Sequence, residues 1–255
     1  MHFALWQYLI MLPIGILGGI VSSSVGMASL VTYPALLYLG GIPPVTANVT
    51  NTSSMIFSGF GSIFSSLPEL KGHVKETINA LILTLIGGIG GVYALLAAPK
   101  KDFEFAVPWF ILVSALLILW PKSKKAGQKK LIHSKKGMVI ALTITFLIYG
   151  AYSSYFSAGA GVLALGILAF ISTEPFPVYN AIRNVAALSA NVISIVIFTL
   201  KTTVYWSIAL PLGIGMMIGG YIGPVIVRYV PEKVMKLTVG ILALGLSAYF
   251  FYTTY

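Results

Sequence analysis

The stretch WSIALPLGIGMMIGGYIGPVIV, from Trp206 to Val227, carries no charged residue and is apolar on every face. A span of about 20 such residues crosses the roughly 30 Å hydrocarbon core of a bilayer. A barrel strand would alternate apolar with polar side chains, because one face meets a lumen. A helix satisfies its own backbone hydrogen bonds and can stand alone in lipid. ALILTLIGGIGGVYALLAA, from Ala80 to Ala98, repeats the pattern. The fold class that follows is an all-α polytopic membrane protein.

The whole chain agrees with these two stretches. Of its 255 residues, 58% are hydrophobic and 9% charged, against about 25% charged in a typical soluble domain. Apolar runs fall at about 3–21, 27–41, 45–67, 76–98, 105–121, 138–157, 160–172, 177–200, 204–228 and 235–252. Prolines mark the gaps: Pro43 and Pro44, Pro68, Pro99, Pro121, Pro175, Pro177 and Pro231. The length leaves room for roughly eight to ten crossings and little else. The N-terminal run lacks a basic flank and a small-residue cleavage site, so it reads as a first membrane segment. The net charge of +10 would suggest nucleic acid in a soluble protein. Here the cations concentrate in Lys122, Lys124, Lys125, Lys129, Lys130, Lys135 and Lys136, between apolar runs. Topology explains that placement better: positive loops stay on the cytoplasmic side. No nucleic-acid partner is expected. The chain has no cysteine, which excludes disulfides, thiol catalysis and Cys-ligated metals.

Two segments, 27–41 and 160–172, are short for a full crossing. Each follows a polar, glycine-containing break, Ser22-Ser23-Ser24-Val25-Gly26 and Ser153-Ser154-Tyr155-Phe156-Ser157-Ala158-Gly159. Each pair is therefore a broken helix, or one member is re-entrant. The chain also repeats itself. A shift of 133 puts Ser24 on Ser157, Gly26 on Gly159, Pro44 on Pro177 and Asn51 on Asn184. A shift of 132 puts Gly87, Gly88 and Gly91 on Gly219, Gly220 and Gly223, and Pro99 on Pro231. Two homologous halves are predicted, residues 1–125 and 138–255, joined by a basic cytoplasmic linker at 126–137. Five crossings per half would make them inverted and four would make them parallel. Arg228, Lys233 and Lys236 fall inside in the inverted arrangement, which favours it. Duplicated transporters place their substrate at the repeat interface, on discontinuous helices.

Candidate binding residues follow. The acids Glu69, Glu76, Asp102, Glu104, Glu174 and Glu232 lie in loops or at segment ends, as do His2, His73 and His133. No buried carboxylate relay and no metal site is expected, no cofactor is implied, and no constellation suggests an enzyme. Arg183 lies about two turns into an apolar run, flanked by Asn180 and Asn184. An intramembrane charge is costly and marks function, and a guanidinium binds oxyanions in bidentate fashion. Its plainer reading is snorkelling to the interface. In the first half, Thr50 stands at the matching place beside Asn48 and Asn51. The breaks at Ser22, Ser23, Ser24, Gly26 and at Ser153, Ser154, Ser157, Gly159 are expected to offer free N–H groups at a helix N-terminus, or to be ordinary tight loops. Gly15 to Gly19, Gly87 to Gly91 and Gly219 to Gly223 read as close-packing faces, which also permit a homodimer.

The residues from Gly15 to Pro34 followed by Pro44 to Ser54, and from Gly150 to Gly166 followed by Pro177 to Asn191, resemble the sulfite exporter TauE/SafE family. The resemblance covers nearly the whole chain. It implies transport of small, often sulfur-containing anions such as sulfite or organosulfonates across the prokaryotic plasma membrane. Some members carry cysteines near the breaks; this chain has none, so no thiol role carries over. A small anionic substrate and the lipid bilayer are the partners implied. An interior-negative potential favours anion export by about 2.3 kcal/mol per charge per 100 mV, so alternating access needs no carboxylate. The alternatives are an anion channel and a non-transporting membrane subunit.

Overall fold

The computed structural model describes residues 3–119, 135–157, 159–172 and 174–254. These residues form helices and no strand: α1 (Leu5–Val25), α2 (Ser29–Pro34, continued by a π-turn over Ala35–Leu39), α3 (Pro44–Ser65), α4 (Leu67–Leu70), α5 (Val74–Ala97), α6 (Lys100–Leu119), α7 (Lys135–Tyr155), α8 (Ala160–Ile171), α9 (Phe176–Lys201), α10 (Trp206–Tyr229) and α11 (Glu232–Thr254). Most of the cationic linker lies outside the described residues, and Lys135 and Lys136 open α7.

Among the described residues, five helices, α1, α5, α7, α9 and α10, are long and apolar enough to cross a membrane. The chain is a multi-pass membrane protein. The ten apolar runs are not ten separate crossings. The pairs α1–α2 and α7–α8 are hairpins rather than successive crossings. In addition, α3 has a crossing's length but carries Asn48, Thr50, Asn51, Thr52, Ser53, Ser54, Ser58 and Ser62, all buried. It runs from the Leu39 end of the bundle to the Arg228 end with that polar face turned inward, while Phe60 and Phe64 are exposed.

The hairpins are fixed by contacts across them. Gln7 Nε2 donates to Leu39 O at 2.6 Å, so the start of α1 and the end of the α2 π-turn share one end of the bundle. Tyr38 packs edge-on against Tyr249, and Phe3 against Tyr205, at that same end. The opposite end is tied by Arg228 to Glu69 and by His73 to Glu174. There Met138 and Leu142 of α7 share a cavity wall with Leu168 and Ile171 of α8. The first hairpin thus dips in from one end and the second from the other.

Helix packing joins early helices to late ones. The most extensive pairings include α1 with α10 and α5 with α7, α3 with α10 and α5 with α9, α6 with α11, and α3 with α9. Glycines make the first two possible. A Cβ on Gly19 or Gly219 would strike α10 or α1 backbone, and one on Gly87 or Gly91 would strike the α7 carbonyls of Leu147 and Ala151. Close backbone approach is how helices associate where lipid offers no hydrophobic drive between them. The small-xxx-small faces therefore serve packing inside the chain.

Both central helices start alike. Pro43 and Pro175 sit just before α3 and α9 in extended conformation, with ψ of 147° and 155°. Each helix also has a proline in its first positions, where the missing N–H costs nothing.

Candidate functional site

The two hairpin tips meet at the middle of the bundle. The chain leaves α1 at Gly26 with φ of 84°, and enters α8 at Gly159 with φ of 79°. Those left-handed angles suit glycine and strain other residues. Gly26 N caps α1 by donating to Val21 O and Ser22 O at 3.0 and 2.9 Å. Opposite it stands Gly161: a Cβ at Gly26 would fall 2.6 Å from Gly161 Cα and 3.1 Å from an Arg183 guanidinium nitrogen.

Arg183 is the largest of the fully enclosed side chains, 2% exposed. It does not snorkel. Nη1 donates to Ser22 O at 3.1 Å, and Nη2 to Asn180 Oδ1 at 2.6 Å, with a long 3.5 Å contact to Ser23 O. The Asn180 and Asn184 amides each donate to Ser23 O, at 2.9 and 3.0 Å. Arg183, Asn180 and Asn184 therefore cap the C-terminal, partially negative end of α1. This differs from the expected helix N-terminus. A break exposes both helix ends, and the Gly26 turn presents the carbonyl end to the cation. Among the described residues no carboxylate pairs with Arg183. Its Nε is buried without a partner, and Tyr149 lies beside the guanidinium.

The serine hydroxyls are mostly engaged. Ser23 donates to Gly19 O at 2.9 Å, and Ser24 donates back to Ile20 O. Ser154 accepts from Ser194 at 2.9 Å, and Ser153 is buried beside Tyr149. Ser157 Oγ pairs with Ser29 Oγ across the two tips, and Asn51 Nδ2 donates to Ser29 Oγ at 2.9 Å. Asn48 Nδ2 donates to Tyr155 O, the last residue of α7, at 3.1 Å. Thr50 stands apart from this group, its hydroxyl accepting from Tyr205 N at 3.3 Å.

The bond from Asn48 to Tyr155 O and that from Asn180 to Ser23 O are equivalent under a shift of 132 in both donor and acceptor. The starts of α3 and α9 also differ by 132, Pro44 against Phe176. In this register Asn51, rather than Thr50, stands where α9 has Arg183. Ser29, Thr52, Tyr149 and Gly161 were missed in the sequence. Ser29 and Gly161 lie within the small-residue tracts following the breaks, which is the one signal that could have found them.

Two cavities approach the tips. One of about 610 Å³ opens at the end holding His73 and Glu174, and its lining reaches Tyr179 and Ile182 on the helix that carries Arg183. The other, about 530 Å³, lies at the opposite end between α2, α6 and α11, with Tyr33 and Phe250 in its wall. Among the described residues, three of the seven orphaned buried side-chain atoms, Asn48 Oδ1, Asn51 Oδ1 and Thr52 Oγ1, fall within about one turn of α3.

Comparison with known proteins agrees with this architecture. The chain is 28% identical over 227 residues to a Sinorhizobium protein named "Probable membrane transporter protein ORF9", covering 87% of this chain and 82% of that one. It is 21% identical over 240 residues to a probable membrane transporter protein of Haemophilus influenzae, covering 94% and 92%. It is 23% identical over 249 residues to the probable membrane transporter protein YfcA of Escherichia coli K12, covering 95% and 88%. No solved structure matches the chain. The family model described as "Sulfite exporter TauE/SafE" matches residues 11–250, and the chain therefore belongs to that family of membrane transporters.

Proposed function

We propose that the protein is a carrier that exports small oxyanions, sulfite or organosulfonates, across a prokaryotic plasma membrane, with Arg183 as the anion's partner. The observation that carries this reading is a guanidinium buried at the meeting point of the hairpins, with carbonyl oxygens and Tyr149 as its neutral partners, an Nε without a geometric hydrogen bond, and no carboxylate beside it among the described residues. An enclosed charge without a counter-charge is costly, and a passing anion would relieve that cost.

The transport cycle proposed is alternating access. Residues 1–125 and 138–255 act as two inverted repeats about the site, with Asn180 and Asn184 holding the α1 tip and Asn48 the α7 tip. Reciprocal helix packing, hairpins entering from opposite ends, and a cavity at each end support this reading. The end holding Lys71, Lys75, Arg228 and Lys233 is assigned to the cytoplasm, with the linker at 122–136, because short basic segments stay inside. The membrane potential supplies the driving force for export.

The test is purified protein in liposomes loaded with sulfite or an organosulfonate, with a valinomycin-set potential. Saturable, potential-dependent efflux is expected. Flux that never saturates, at rates well above those of a carrier, would replace the carrier with a channel. No flux of any sulfur anion from folded protein would overturn the proposed substrate class.

A further inference from the structure

The hairpin tips are chemically unequal, and the inequality falls on one side. Around the α1 tip, the carbonyl end of the helix is matched by the Arg183 cation, and Asn180 Oδ1 accepts from that cation. Around the α7 tip, Asn48 makes the bond equivalent to that of Asn180, donating to Tyr155 O. The residue equivalent to Arg183 is Asn51, which is neutral. Asn48 Oδ1 consequently has no donor, and neither do Asn51 Oδ1 and Thr52 Oγ1. These residues are at most 1% exposed. Their spacing of i, i+3 and i+4 puts them on one face of α3. Their amides reach the α7 end directly through Tyr155 and indirectly through Ser29 and Ser157. Of the other orphans among the described residues, Ser65, Thr84 and Asn191 lie away from this turn, and Arg183 Nε belongs to the facing α1 tip.

Buried oxygens without donors are rare and costly. Three of them on one turn, beside the partially negative end of a helix, describe a site for positive charge. The acceptors are neutral amide and hydroxyl oxygens, and the described residues contain no group of His, Cys, Asp and Glu able to hold a metal ion. Hard oxygen donors without a carboxylate suit a cation of single charge rather than a divalent one. We infer that Asn48, Asn51 and Thr52 hold a small monovalent cation, Na⁺, in the place that the Arg183 guanidinium occupies at the other tip. The inference rests on the duplication proposed above for its register, and on the orphaned oxygens for its chemistry.

The experiment compares thermal unfolding of the purified protein in NaCl and in N-methyl-D-glucamine chloride at equal ionic strength. Na⁺ should raise the midpoint saturably, by about 3–6 °C at tenfold excess over its dissociation constant. Thr52→Val keeps the shape and removes one ligand, so half-saturation should need about 5- to 10-fold more Na⁺. Asn51→Lys supplies a fixed cation and should abolish the response. Identical midpoints in the two salts for the parent protein, or an unchanged Na⁺ dependence in Thr52→Val, would overturn the site. Anion efflux measured on the same preparation separates the two readings: saturable efflux without a Na⁺ response leaves the carrier standing and removes only the cation.

Discussion

Replacing Arg183 by Gln removes the charge while keeping a side chain able to donate. Two effects on stability oppose each other. Ser22 O and Asn180 Oδ1 lose donors at 3.1 and 2.6 Å, and an unmet buried acceptor costs about 1–3 kcal/mol. Against this, burying a guanidinium carries a desolvation penalty of several kcal/mol that the variant no longer bears. The two nearly cancel, and Ser23 O keeps its Asn180 and Asn184 donors. The variant should therefore fold with an unfolding midpoint close to that of the parent. Transport should not survive so well. A hydrogen bond from a charged donor contributes about 1.5–3 kcal/mol, so losing one to the anion weakens apparent affinity about 10- to 150-fold, and losing a bidentate pair weakens it further. Arg183→Lys keeps charge without the planar fork and should fall between. The assay is initial efflux rate against internal anion concentration in proteoliposomes, with reconstituted protein quantified. Folded Arg183→Gln with unchanged half-saturation and maximal rate would remove Arg183 from the transport path and refute the reasoning.

Gly26→Ala places a Cβ 2.6 Å from Gly161 Cα on a backbone with φ of 84°; left-handed strain alone costs about 1–2 kcal/mol, so a lowered unfolding midpoint is expected, and an unchanged one would mean the tips are not in contact. In Gly91→Ala the propensity gain of about 1 kcal/mol is outweighed by collision with the Ala151 carbonyl, at about 1–3 kcal/mol for overpacking; calorimetry should find destabilisation, and stabilisation would contradict the α5–α7 packing. Glu69 accepts from Arg228 at 2.6 and 2.9 Å, and the guanidinium holds its carboxyl below the usual range. A depressed folded-state value stabilises at pH above the unfolded carboxylate range and loses that stabilisation as pH falls through the folded value. Glu69→Gln should therefore cost under about 1 kcal/mol at neutral pH and nothing in acid, read from unfolding midpoints across pH; an equal loss at both would indicate packing instead.

Helical class and the breaks at Gly26 and Gly159 were readable because glycine and proline occur in such chains for backbone reasons, and backbone reasons leave fixed spacing. Both glycines have the positive φ that a sharp break needs. What spacing could not give was direction. Whether the segment at 27–41 continues across or turns back depends on contacts such as Gln7 with Leu39, 32 residues apart, and no local pattern encodes them. The same limit applied to Arg183. Its burial near Asn180 and Asn184 follows from an apolar helix, but the identity of its partner depends on which helix end arrives. Sequence logic favoured N–H groups; the Gly26 cap delivers the Ser22 and Ser23 carbonyls instead. Hydropathy marked 45–67 as an apolar run, but that its Asn, Thr and Ser side chains are all buried follows only from which helices pack against it.

The most direct measurement is electrical. Proteoliposomes on a solid-supported membrane, given a sudden step of sulfite or an organosulfonate at the parent's half-saturating concentration, should produce a current carrying negative charge that saturates with anion, and folded Arg183→Gln should reduce it at least about fivefold. A current of the same size in that variant, or none in the parent protein with either anion, would contradict a carrier whose substrate is paired by Arg183.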